Sequence, residues 1–126
     1  MSDAKYPEVD VEVSESGSNL SFGQKQLLCI ARAVLRNCKV LLLDEATSGI
    51  DLATDSLIQE TIRTQFQDRT VLTVTHRIET ILGGDRVLVL DDGQVSEFDH
   101  PQKLLQNSNS MFSQLVERMR SGREDL

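Results

Sequence analysis

Lys39-Val-Leu-Leu-Leu-Asp44-Glu45 decides the fold. Val40 to Leu43 form an unbroken apolar run that stops at two carboxylates. A short apolar run without alternation predicts a strand buried on both faces, as in a parallel α/β sheet. Two acids at its end then sit at the carboxyl edge of the sheet, where open α/β folds bind ligands. Successive strand residues point to opposite faces, so Asp44 and Glu45 divide the work: one faces a metal ion, the other a water. The plain alternative is a buried strand followed by a charged turn.

Upstream lies Asn19-Leu20-Ser21-Phe22-Gly23-Gln24, followed by an apolar stretch to Leu35. Leu27, Ile30, Ala31 and Val34 share one helical face, which Leu28 and Leu35 widen. This predicts a largely buried helix of about four turns, with Ser21 as N-cap and Asn37 as its stop. Further back, residues 1–19 are polar and acidic, and residues 1–13 read as an extended amino-terminal segment. Val9, Val11 and Val13 alternate there with acids, which predicts a short edge strand or extended arm.

Downstream, Ala46 to Asp51 reads as a loop ending in an N-cap. A helix follows from about Leu52 to Phe66, with Ile58, Ile62 and Phe66 at four-residue spacing. Arg69 to Thr75 is a second strand, rich in β-branched residues, and it ends at His76. A short helix near Ile78 to Leu82 is broken by Gly83-Gly84. Arg86 to Leu90 is a third strand, and Asp92-Gly93 turns it into an antiparallel partner, Gln94 to Phe98. Pro101 opens a helix to about Gln106. Met111, Phe112, Leu115, Val116 and Met119 stripe a last helix that frays from Ser121. Alternating strands and helices imply an α/β fold: a mainly parallel sheet of three strands with right-handed crossovers, then a carboxyl-terminal hairpin and helices. Such a small sheet has open edges and hints at a missing portion.

The chain has 126 residues and a net charge of −7, the size of one domain or part of one. The acidic balance argues against a nucleic-acid surface. Cys29 and Cys38 lack metal-ligand spacing and read as reduced intracellular thiols. No signal peptide is visible behind Met1. No apolar run approaches the roughly 20 residues that span a bilayer.

Leu20-Ser21-Phe22-Gly23-Gln24 at a helix start resembles the signature motif of ATP-binding-cassette (ABC) ATPases, which belong to the P-loop NTPases. Val40 to Asp44 resembles their Walker B strand, with Glu45 at the place of the catalytic glutamate. Ser48-Gly49-Ile50-Asp51 resembles the D-loop, and His76 the switch histidine. The wording from Ser14 to Ala33 is similar to the second nucleotide-binding domain of multidrug-resistance-associated transporters, subfamily C, which are membrane exporters of organic anions and conjugated drugs. The resemblance implies ATP and Mg²⁺ as cofactors. By the same resemblance Asp44 would hold Mg²⁺ through water, Glu45 would deprotonate the attacking water, and His76 would contact the γ-phosphate. Leu20 to Gln24 would contact the γ-phosphate of ATP held by another nucleotide-binding domain, with Ser21 adding a hydroxyl and Gly23 letting the backbone come close. Asp51 would couple the two sites. The implied partners are that second domain and the transporter's transmembrane domains, at the cytoplasmic face of a membrane.

Two departures shape this expectation. The P-loop, G-x-x-x-x-G-K-[S/T], is absent, as are the glutamine loop and the adenine-stacking aromatic. Residues 14–126 therefore read as the carboxyl-terminal half of a nucleotide-binding domain, inactive alone. Phe22 also replaces the signature's third-position glycine, which implies that this motif completes the slower of two unequal sites. A second reading is a truncated, non-catalytic module that docks on another nucleotide-binding domain. Long heptad runs, the mark of DNA-repair relatives, are missing. An isolated half-domain should also be poorly soluble, because its sheet lacks neighbours.

Overall fold

The computed structural model describes residues 12–124. The expected arm at Val9 and Val11 lies outside them, and Glu12 and Val13 are irregular. A single 3₁₀ turn, Glu15–Gly17, precedes α1 (Phe22–Leu35), β1 (Val40–Asp44), α2 (Leu52–Gln65) and β2 (Thr70–Val74). Then follow α3 (Ile78–Leu82), β3 (Val87–Asp91), β4 (Gln94–Asp99), α4 (Pro101–Leu105) and α5 (Met111–Glu124). The chain divides into two compact units, Met1–Leu72 and Thr73–Leu126.

The first unit holds β1 and the start of β2, which are neighbours. Thr70 N–H donates to Lys39 O at 3.0 Å, so the two strands start side by side and run parallel, with α2 as the crossover. Ile30 of α1, Leu41 of β1, Ile58 of α2 and Phe66 at its carboxyl-terminal cap form the core, with Leu43, Ile62 and Val71 packed against it. The four-residue spacing of Ile58, Ile62 and Phe66 places all three on this inner face, and Ile58 is fully buried.

Three expectations change. β1 is buried on one face only: Leu41 is 8% exposed but Leu42 is 69% exposed. Val40 and Leu42, with Leu72 of β2, stand open on the outer face. A parallel strand pair needs cover on both sides, and this segment supplies a helix layer for one. Helix α1 is likewise not largely buried: Leu28 is half exposed and Leu35 is 85% exposed, while Ile30 faces the core. Finally, the third strand does not extend the parallel sheet. Among the described residues β3 pairs with β4 alone.

In the second unit β3 and β4 are antiparallel, with Val87 opposite Asp99 and Leu90 opposite Val95, and a bulge between Val89 and Leu90. Asp92 (φ 47°) and Gly93 (φ 73°) are both left-handed, the geometry of a type I′ turn, whose twist matches the strands. Ile78, Val89, Phe112 and Val116 form a second core. Instead of fraying at Ser121, α5 continues to Glu124.

Candidate functional site

Ser21 starts α1 as expected. Its Oγ accepts from Gln24 N–H at 3.1 Å, and Gln24 Oε1 accepts from Ser21 N–H at 2.9 Å. This is a reciprocal capping box, and Ser-x-x-Gln is its sequence signal. The cap bond uses one lone pair of Oγ, which leaves the hydroxyl proton to donate and a second lone pair to accept. The first-turn amides of a 14-residue helix add a positive dipole end. Leu20 is partly buried. Phe22 is 53% exposed, so its ring points away from the core at the motif's third position.

Gly23 is buried, and what surrounds it could not be read from spacing. A Cβ built there would lie 2.8 Å from Thr54 Cγ2 and 3.4 Å from Ile50 Cγ2. The start of α1 thus abuts the start of α2 and the loop before it. Asp51 caps α2, its Oδ2 accepting from Thr54 N–H at 2.9 Å. That bond, first among its causes, lowers the Asp51 pKa from the usual aspartate value. The expected signature and D-loop residues therefore meet within one unit, through Gly23, Ile50 and Thr54.

Asp44 ends β1 and is exposed. Glu45 is partly buried and left-handed, with φ 47°. Strand alternation therefore stops at Asp44, and the backbone turn, not the pleat, separates the two carboxylates. A left-handed non-glycine residue without an Asn or Asp side chain is uncommon and costs roughly 1–2 kcal/mol. Ser48 N–H closes a turn onto Glu45 O at 3.1 Å, and Ile50 N–H another onto Thr47 O at 3.3 Å. Thr47 is buried within these turns. His76 follows β2 as expected; it is exposed and belongs to the second unit.

Among the described residues no group of three His, Cys, Asp or Glu forms a metal cage. Asp44 offers one hard oxygen donor at a strand end. That suits Mg²⁺, which keeps several waters and takes one or two carboxylates. A concavity of about 710 Å³ lies at the other end of the strands, lined by Asn37, Lys39, Asp68, Arg69 and others. It contains none of the expected site residues. Cys29 and Cys38 are free thiols.

A capped helix start and a strand that runs out into the Asp44 and Glu45 carboxylates belong to one α/β unit. Comparison with known proteins identifies which kind. Residues 2–48 match the ABC transporter family, a range that runs through the Ser21 turn and β1. Bile pigment transporter 1 of Saccharomyces cerevisiae is 56% identical over 110 residues, covering 87% of this chain and 7% of that protein. Metal resistance protein YCF1 of the same yeast is 54% identical over 107 residues, 85% of this chain and 7% of that protein. ATP-binding cassette sub-family C member 4 of Mus musculus is 49% identical over 114 residues, 90% of this chain and 9% of that protein. The chain belongs to the ABC transporter family, and its sequence is that of a sub-family C ATP-binding domain. It spans only 7–9% of the length of these relatives. No described helix is long and apolar enough to cross a membrane.

Proposed function

We propose that this chain is the carboxyl-terminal half of the second nucleotide-binding domain of an ABC exporter, and that in the complete transporter it helps couple ATP hydrolysis to transport. The observation that carries the reading is Glu45: a partly buried carboxylate in left-handed backbone, directly after a strand ending in Asp44. Strain of this kind persists where the surroundings hold a group for a task. Asp44 would hold Mg²⁺ through water, and the ion would neutralise charge on the phosphates. Glu45 would orient the attacking water and take its proton. His76 would contact the γ-phosphate. Ser21, with the amides of Phe22, Gly23 and Gln24 and the flank of Leu20, would clamp the γ-phosphate of ATP bound on the opposite nucleotide-binding domain. Asp51 would link the two sites.

The exposed outer face of β1 and β2 supports the half-domain reading. Val40, Leu42 and Leu72 would be covered by the remainder of the same domain, which would also bring the P-loop. The name of the yeast relative bile pigment transporter 1 supports a transporter; an organic anion is the substrate class we favour, at the cytoplasmic face of a membrane.

The test uses the complete transporter. Glu45→Gln should lower ATP turnover by at least about 100-fold while MgATP binding persists. Unchanged turnover would remove Glu45 as the base. Ser21→Ala should lower turnover less, since it touches the slower of two unequal sites.

A further inference from the structure

Gly23 sits in the second position of α1, where its backbone is helical and not left-handed. An alanine would fit that backbone, and helix propensity alone favours alanine over glycine. The residue therefore has another reason to lack a side chain. Two reasons are available: a phosphate must approach the backbone, or a neighbour already fills the space. The structure shows the neighbour. Thr54 Cγ2 would be 2.8 Å from a Cβ at Gly23, well inside van der Waals contact, and Ile50 Cγ2 would be 3.4 Å away.

Thr54 is itself held firmly. Its amide is bound by the Asp51 carboxylate at 2.9 Å, in the first turn of a 14-residue helix. The opposing turn is fixed by the Ser21–Gln24 capping box. Two capped helix starts are thus locked together through one glycine and one methyl group.

We propose that Gly23 and Thr54 form a positioning lock. The missing side chain admits the Thr54 methyl, and this fit sets where the Ser21–Gln24 turn stands relative to the Asp51 loop. The functional half of this inference rests on the ATPase reading above: a displacement of the Asp51 loop would move the phosphate-clamping turn with it. A shift of one ångström in a clamp is enough to change rates by large factors.

The two explanations for Gly23 differ in a double substitution. Thr54→Ala removes Cγ2 and leaves Cβ at 3.6 Å from the built Gly23 Cβ, an ordinary contact. In the 126-residue chain, Gly23→Ala alone should lower the unfolding midpoint by about 5–15 °C, against the propensity trend. The pair Gly23→Ala/Thr54→Ala should recover most of that loss relative to Thr54→Ala. In the complete transporter, Gly23→Ala should reduce turnover roughly 10- to 100-fold, and the pair should return to within about threefold of Thr54→Ala.

If the chain shows no coupling between the two positions, the lock does not exist, whatever the transporter does. If the chain shows coupling but the pair stays as inactive as Gly23→Ala, the glycine serves phosphate approach and the positioning role is overturned. Whether the unsubstituted transporter hydrolyses ATP is measured in the same experiment. The underlying functional reading therefore fails or stands separately from the lock.

Discussion

The two compact units each pair two short strands against helices, and each leaves one apolar strand face open. They solve the same problem by different means. In the first unit the helix starts are capped from nearby in sequence: Ser21 by Gln24, and Thr54 by Asp51. In the second, α5 has a local cap at Ser110, whose Oγ accepts from Ser113 N–H at 3.3 Å, and is also capped from a distance. Glu97 of β4 accepts from Met111 N–H at 2.9 Å, and from Phe112 N–H and the Ser110 hydroxyl at 3.0 Å. The exposed faces also differ in meaning. An antiparallel hairpin commonly has one wet side, and here Leu88 lies opposite Phe98, with Arg86 over the Phe98 ring at 5.8 Å and paired to Asp99 at 3.6 Å. Parallel strands seldom show a bare side. The open face of Val40, Leu42 and Leu72 is therefore the less usual of the two.

Separate cores should fail separately. Phe112→Ala should cost about 3–5 kcal/mol and Ile58→Ala about 2–5 kcal/mol, since Phe112 and Ile58 are almost wholly buried. Each loss should fall on its own unit, which residue-level hydrogen exchange resolves. If Ile58→Ala unprotects Val89 and Val116 as strongly as Leu41, the comparison is wrong and one cooperative core exists.

Glu97 sharpens the contrast through pH. Burial of its carboxyl raises its pKa and is the largest single influence, but the donations from Phe112 N–H, Met111 N–H and Ser110 together outweigh it, and the net direction is down. A carboxylate lowered on folding stabilises the folded state above its ordinary value of 4.5. That contribution is lost as the pH falls through the lower folded value. Asp99, lowered chiefly by the Lys103 hydrogen bond at 2.6 Å, acts in the same sense. Glu97→Ala should cost about 1–2 kcal/mol near neutral pH and flatten the acid limb of the second unit's stability. An unchanged acid limb would show that the clasp between β4 and α5 carries no weight.

Much of this was legible in the sequence, and the limits have physical causes. Helix starts were readable at Ser21, Asp51 and Pro101 because capping chemistry is local. So was the Asp92-Gly93 turn. Strand pairing was not: the apolar run at 40–43 predicts a strand with two covered faces, and only the fold reveals that one layer is present. Equally, nothing in the run Val87 to Leu90 distinguishes a third parallel strand from half of a hairpin that stands by itself. At the candidate site, residue types and order were readable. The fit of Gly23 against Thr54 and the Glu97 cap were not, because both join positions whose sequence separation follows no helical or strand period.

The bare strand face offers a smaller effect on stability with a visible one on solubility. Leu42→Gln should change the unfolding free energy little, within roughly 0.5 kcal/mol, because the side chain is already mostly in water. It should reduce light scattering of the concentrated chain, since less apolar surface is exposed. The matching change at Leu90 of the hairpin should do less. If Leu42→Gln instead destabilises the fold strongly, this face is covered in the chain itself.

The smallest change on folding separates a cap from a linker between sites. Asparagine is as good an N-cap as aspartate, and Asp51 caps α2 through a single carboxylate oxygen to Thr54 N–H. Asp51→Asn should therefore leave the first unit's thermal midpoint near its original value at neutral pH. It should also remove the part of its acid sensitivity that comes from the lowered Asp51 carboxyl, whose contribution vanishes as pH falls through the folded value. The same substitution in the complete transporter then isolates the charge. A several-fold loss of ATP turnover at unchanged stability assigns the carboxylate a task beyond capping. Full turnover assigns it the cap alone, and the connection between the two helix starts is then left to the contact of Gly23 with Thr54.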